Sequence, residues 1–452
     1  MPHLLIVGGS DAGIAAALRS REFDPSLDVT VVVADRYPNY SVCGLPYFLS
    51  GEVADWRNLA HRTAPEIERQ GIKLLLDHRA VRLDPVRRVV AVRAEGEAGE
   101  KEIVYDRLVV GTGADPVRPA FPGNDLPGVY LLRSMGDSFA VHRHLTERAP
   151  RAAVVVGGGY IGVEMAEALT VRGLEVTLVE HGRTVLKTLD SPLGTVVQGE
   201  LERHGVRVTT GARVRAVEPC GDRLTVVGDE FRHEADLVLV AVGVRPQVEL
   251  LVGAGAEVGL KGSIRVNRRM ETGLPGVYAA GDCTETWHRL LGRNVYLPLG
   301  STAHKQGRVA GENAAGGDRE FAGTLGTQVV KVYGLAATRT GLNDAEARDA
   351  GFDPLTVQSR ASDHKGYYPG AGELHLRVTG DRKTGRLLGG QIVGPVAGEV
   401  AKRIDIFAAA IHHGMTVNGL SDLDLSYTPP LGSPWDAVQM SGHAWERAKA
   451  SA

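Results

Sequence analysis

Apolar positions along this chain gather into short runs, interrupted at most by one threonine, separated by glycine-rich turns. Leu4-Leu5-Ile6-Val7 is one such run; Val29 to Val33, Leu108 to Val110, Val154 to Val156 and Val176 to Val179 are others. Runs of this length without polar alternation predict strands buried on both faces, as in a parallel sheet. Helical stretches lie between them, the alanine-rich Ile14 to Arg21 and Val163 to Arg172. Residues 4–35 thus predict a β-α-β unit, and residues 154–180 predict a second copy. After each copy comes a buried strand that stops at glycine, Leu108 to Gly113 and then the segment 236–246. A further short strand, Val277 to Ala280, runs into Gly281-Asp282.

The pattern changes near residue 322. Thr327 to Tyr333, Glu373 to Thr379 and Leu387 to Val393 predict antiparallel strands, and Lys402 to His413 an amphipathic helix with Ile404, Phe407, Ala408 and Ile411 on one side. No nucleotide turn occurs in this tail. The fold class expected is α/β: two Rossmann-like dinucleotide-binding domains, one inserted in the other, and a C-terminal α+β domain. The expected boundaries are 1–113 with 245–322 for the first, 114–244 for the second and 323–452 for the third.

The turns carry the first chemistry. Gly8-Gly9-Ser10-Asp11-Ala12-Gly13 lets the backbone double back and packs the helix on the sheet, so a pyrophosphate can rest at the helix N-terminus. Ser10 stands at the middle glycine position, and Asp35, about twenty residues on, suits a ribose hydroxyl. The second turn, Gly157-Gly158-Gly159-Tyr160-Ile161-Gly162, is a full G-x-G-x-x-G, and its returning strand ends in Glu180. An acid there binds a ribose diol and repels a 2′-phosphate, so NADH is expected over NADPH; the nearby His181 and Arg183 soften that preference.

Composition narrows the setting. With 452 residues, 43% hydrophobic and 23% charged, the chain fits two or three globular domains, and a net charge of -3 argues against nucleic-acid or membrane-surface partners. Its three cysteines, Cys43, Cys220 and Cys283, are far apart and show no metal-ligand spacing, which suggests a cytoplasmic, reducing setting. Met1 to Val7 reads as a strand and not as a signal peptide. Cys43 stands apart because Gly44 and Pro46 follow it, so the thiol is expected where a helix begins, a place that favours a thiolate. Two dinucleotide units and one such thiol imply electron transfer between cofactors and sulfur.

The ensemble of motifs resembles the flavin-dependent pyridine nucleotide–disulfide oxidoreductases. The residues that carry the resemblance are Gly8 to Gly13, Tyr40-Ser41-Val42-Cys43-Gly44-Leu45-Pro46-Tyr47, Gly111-Thr112-Gly113, Gly157 to Gly162 with Glu164, Gly281-Asp282, and Leu297 to Gly300 running through to Arg308. It is most similar to the single-cysteine branch that holds coenzyme A-disulfide reductase, NADH oxidase and NADH peroxidase, because no second cysteine accompanies Cys43. The resemblance implies that FAD contacts Gly8, Ser10, Asp11, Ala12, Gly13, Asp35, Arg36, Thr112 and Gly113, then Gly281, Asp282, Leu299, Gly300 and Ala303. It implies that NADH, or NADPH as a second donor, contacts Gly157, Gly159, Tyr160, Ile161, Gly162, Glu164, Glu180 and Gly243. The tail becomes a dimerisation domain, and the partner subunit presents Tyr427, with Tyr367 or Tyr368 in a second position, to the departing thiolate.

For the substrate, the resemblance implies a small disulfide or persulfide, with coenzyme A disulfide leading. Arg19 and Arg21 are expected to meet its phosphates, and Ser41 to lie beside it. Peroxide-handling members carry a histidine in the first turn where this chain has Asp11, which counts against peroxide chemistry. Asp11 and His304 both depart from the family pattern. The alternatives are an NADH oxidase or peroxidase cycling through a sulfenic acid, and a slow redox-sensing flavoprotein.

Overall fold

A computed structural model describes residues 1–451. The first sheet is parallel, in the order Val277–Ala279, Arg107–Val110, His3–Val7, Asp28–Val32 and Ile72–Leu75. The apolar runs build it because both of its faces are covered, and Leu4, Leu5, Ile6, Val29, Val31, Leu108 and Val109 are fully buried. Helices Asp11–Phe23 and Gly300–Ala314 pack tightly together. They approach this closely because Gly307 and Gly311 lack side chains: a Cβ on either would lie 2.2 Å from the carbonyl oxygen of Ala12 or Ala16.

A second parallel sheet runs Arg207–Thr209, Glu175–Val179, Ala152–Val156, Leu237–Val240 and Val129–Tyr130, with helix Tyr160–Val171 against it. The chain leaves the first sheet and returns through two segments that pair antiparallel, Ala114–Pro116 with Val244–Pro246. Thus the two exits that looked alike in sequence meet each other in space.

The tail forms a five-stranded antiparallel sheet, ordered Gln328–Val332, Leu335–Gly341, Leu387–Pro395, Glu373–Asp381 and Pro354–Ser362. Helices Val400–His412 and Ala437–Ala450 cover it, and Phe407 and Trp445 are fully buried between the layers. The first strand, the helix following each turn and the helix at 400 begin one to three residues earlier than the sequence suggests. Strands Leu335–Gly341 and Pro354–Ser362, the meander His78–Asp84, Val89–Ala94 and Lys101–Val104, and the terminal helix were not expected. Among the described residues, no helix is long and apolar enough to cross a membrane, and no group of three or more His, Cys, Asp or Glu is placed to hold a metal ion.

Candidate active site

Both glycine-rich turns have the shape a pyrophosphate needs. Gly8 and Gly157 take φ of 117° and 106°, a conformation open to glycine, and a Cβ on Gly13 or Gly162 would lie 1.8 Å from the carbonyl oxygen of Gly8 or Gly157. Each helix therefore starts pressed against its own turn. Ser10 is the N-cap of the first helix, and its side chain makes no capping bond. Asp35 and Arg36 lie exposed just beyond the strand, Asp35 accepting from the Tyr37 N–H at 2.8 Å and Arg36 pairing with Asp77. In the second turn Glu180 accepts from the Gly158 N–H at 2.5 Å and from the Gly182 N–H. Gly113 and Gly243 take positive φ where the two linking segments cross, and the Thr112 hydroxyl donates to the Gln247 carbonyl.

Cys43 lies in a single 3-10 turn, Val42–Gly44, which runs into the six-residue helix Leu45–Ser50. The segment is stitched in place: Asn39 N–H donates to the Gly9 carbonyl, Ser41 N–H to Leu59, and His61 N–H to Asn39. The thiol sits beside the first turn, open to solvent but crowded by protein. The expectation of a thiol acidified by a helix N-terminus is corrected here. Burial pushes the thiol up, Glu164, Asp11 and Asp282 add to that, and Arg133 opposes them. Burial first, and the acidic groups around the thiol second, set the direction at this single short turn. Cys220 is exposed at a hairpin end, and Cys283 is buried near the carbonyls of Val110 and Ala280.

Glu164 stands on the face of the second helix that meets the Cys43 segment. Burial raises its carboxyl to about 7, the charge of Glu167 adds to the rise, and Lys331 and Tyr47 oppose it. Lys331 is already committed to Glu167, so Glu164 shares the cation instead of owning it. Tyr47, four residues after Cys43, is pushed up by burial and by Glu164. Tyr160 bonds Thr188 and Gln328 through its hydroxyl, while Ile161 packs partly buried beside it.

Asp282 is mostly covered and pairs with Arg133 at 2.9 Å, so it does not cap the segment after it. Arg133 also donates to the Ala114 carbonyl. No motif had pointed to Arg133. Leu299 is the N-cap of helix Gly300–Ala314, whose first residues, with buried Ala303, lie against the first turn: a Cβ on Gly281 would touch Ala12 and Ala303, and one on Gly300 would touch the Asp11 carboxylate. Asp11 pairs with His304 Nε2 at 3.2 Å. The two departures from the family pattern are thus partners, a pairing that no motif signals because the residues lie far apart along the chain.

The expected substrate arginines are occupied elsewhere. Arg21 donates to the carbonyls of Gln70, Pro25 and Leu27, and Arg19 pairs with Glu22 and Glu312 at 2.8 and 2.7 Å. Both side chains therefore have partners within the protein, which a phosphate would have to share. Ser41 precedes the 3-10 turn and makes no capping bond. Tyr367, Tyr368 and Tyr427 are exposed, and their loops are tied together where Lys365 N–H donates to the Pro429 carbonyl.

A solvent-reachable thiol set between two dinucleotide turns defines an oxidoreductase that moves electrons between nucleotide cofactors and sulfur. The chain belongs to the pyridine nucleotide-disulphide oxidoreductases: residues 2–307 match that family and residues 327–437 match its dimerisation domain. It is 36% identical over 438 residues to the NAD(P)H sulfur oxidoreductase (CoA-dependent) of Pyrococcus abyssi, covering 96% of each chain. With the coenzyme A disulfide reductase of Staphylococcus haemolyticus it shares 29% identity over 447 residues, covering 98% of this chain and 99% of that one. Among solved structures, the NAD-dependent persulfide reductase from A. fulgidus superposes with a TM-score of 0.95 at 36% identity, over 99% of this chain and 84% of that one. The enzyme is an NAD(P)H-dependent flavoprotein, with FAD and NAD(P)H as its cofactors. The residues fit both dinucleotides: each turn would clash with itself if a side chain were added, and Asp282 presents a carboxylate at the mouth of the first.

Proposed function

We propose that the enzyme reduces a low-molecular-weight disulfide or persulfide, coenzyme A disulfide first among them, through Cys43 alone. The observation that carries this is a thiol between two dinucleotide turns with no second sulfur bonded to it, so its disulfide partner must be a small molecule. In this reading residues 1–113 and 245–322 hold FAD, 114–244 hold NADH and 323–452 join two copies in the cytoplasm. FAD, when bound, relays two electrons from NADH to sulfur.

The residues then divide the work. Gly157, Gly159 and Gly162 seat the NADH pyrophosphate, Glu180 holds its ribose, and Tyr160 and Glu164 line the nicotinamide pocket. Gly8, Gly13 and Asp35 hold FAD, with Asp282 and the helix at Gly300 on the flavin side. Cys43 attacks one sulfur of the substrate, forming a mixed disulfide and expelling a thiolate. Two electrons cleave that mixed disulfide and leave Cys43 as a thiolate directly, so the weak acidity of its thiol in this setting does not have to be overcome by proton loss. Tyr427 of the partner subunit, with the partner subunit's Tyr367 or the partner subunit's Tyr368, receives the departing group.

One observation favours an oxidase as the second reading: His304 reaches Asp11, restoring an imidazole near the first turn. NADH consumption under argon with coenzyme A disulfide, set against consumption in oxygen without it, tests the two. Faster turnover with disulfide supports the reductase; turnover with oxygen alone overturns it.

A further inference from the structure

Reduction of a disulfide by NADH yields two thiols and consumes one proton from solution. A phenol is ordinarily a weaker acid than a thiol, at about 10 against about 8.5. A tyrosine can therefore hydrogen-bond a departing thiolate but is a poor net source of its proton. The site needs an acid matched to neutral pH.

We propose that His304, held by Asp11, is that acid: it protonates the thiolate expelled when Cys43 attacks a disulfide. This rests on the disulfide-reductase reading above. Asp11 opens helix Asp11–Phe23, beside the turn to which Asn39 ties the Cys43 segment, and its charge reaches the Cys43 sulfur. Its carboxylate is fixed between His304 Nε2, at 3.2 Å, and the start of helix Gly300–Ala314. With Nε2 committed, Nδ1 is the nitrogen free to give a proton. His304 is half exposed, so the imidazole exchanges protons with water, while Asp11 is mostly covered.

The surrounding charges come from every neighbouring element. Asp11 faces His304 from the first helix, and its hydrogen bond raises the imidazole above its ordinary value. Burial opposes that rise, as does Arg62 from the loop that follows the Cys43 segment. His61 from the same loop lies edge-on with ring centroids 6.3 Å apart, and Lys305 follows on His304's own helix.

The step balances. The Cys43 thiolate forms a bond to one sulfur of RS–SR, the S–S bond breaks, and RS⁻ leaves with the electron pair. The His304 proton moves to that sulfur, giving RSH and a neutral imidazole that water reprotonates. The two electrons that later cleave the mixed disulfide come from NADH through FAD. Asp11 touches none of the reacting atoms and is a positioning residue.

The leaving group supplies the test. FAD-loaded enzyme and its His304→Asn variant are compared under argon with two disulfides. Coenzyme A disulfide releases a weakly acidic alkyl thiol, and a nitro-substituted aryl disulfide releases a thiolate that needs no proton. The variant is expected to lose about 100-fold with the alkyl disulfide and less than about threefold with the aryl one. In the parent, alkyl turnover falls as pH rises above the His304 value; in the variant that limb is absent. In Asp11→Asn the limb moves to lower pH, because the charge that raised the imidazole is gone. Equal losses with both disulfides, or a retained pH limb in His304→Asn, overturns the proposal. Failure of the parent to turn over any disulfide would instead overturn the reductase reading.

Discussion

Glu164 is the group whose environment makes the sharpest demand on the protein. It faces a small cavity of about 10 Å³ lined by Pro46, Tyr47, Glu52, Glu164, Glu167 and Ala168, room for roughly one water. Three of those six residues are carboxylates, and the nearby cation, Lys331, is paired to Glu167 and within 3.8 Å of Glu52. Glu164 is consequently raised from 4.5 to about 7. A carboxyl held higher in the folded state binds its proton more tightly there, so its contribution to stability is complete below 4.5. That contribution is lost as pH climbs through about 7, and the loss levels off about one unit beyond. At about 1.4 kcal/mol per pH unit the whole displacement corresponds to about 3 kcal/mol. Glu164→Gln keeps the shape, can still bond the Tyr47 hydroxyl and cannot ionise. Urea unfolding of FAD-loaded parent and variant, without NADH, is measured from pH 5 to pH 9. The variant is expected to gain on the parent by about 2.5 kcal/mol between pH 5 and pH 8, part of the displacement being already lost at pH 5, then hold constant. A difference independent of pH, or a parent that gains on the variant as pH rises, would refute the argument.

Two further predictions follow from the second turn. Gly162→Ala places a methyl 1.8 Å from the Gly157 carbonyl oxygen, so NADH should bleach the flavin at least about tenfold more slowly while the flavin spectrum persists; anaerobic stopped flow reads both. Glu180→Ala removes the acceptor held on Gly158 and Gly182, and the ratio of NADPH to NADH efficiency should rise by about tenfold, measured as the two values of kcat/KM.

The architecture was legible wherever burial was two-sided. Leu4 to Val7 and Val154 to Val156 declare themselves as strands because both faces of a parallel strand are apolar. Strand Pro354–Ser362 did not, since as the edge of an antiparallel sheet it is half exposed along most of its length. The terminal helix was hidden because its burial rests on Trp445 and small residues in place of a clean apolar stripe. In the site, the glycine turns and Cys43 could be read locally. Arg133 on Asp282, His304 on Asp11 and the carboxylates around Glu164 could not: each pairing joins residues more than a hundred positions apart or depends on what covers the group. The partners of the arginines were hidden for a related reason, because Arg21 is tied to backbone carbonyls that no side-chain pattern reveals.

The central claim is that one sulfur, Cys43, passes every electron pair to the substrate. It is tested most directly by anaerobic turnover of coenzyme A disulfide with NADH in FAD-loaded Cys43→Ser. The account predicts that turnover is abolished while FAD stays bound; turnover at the parent's rate would contradict it.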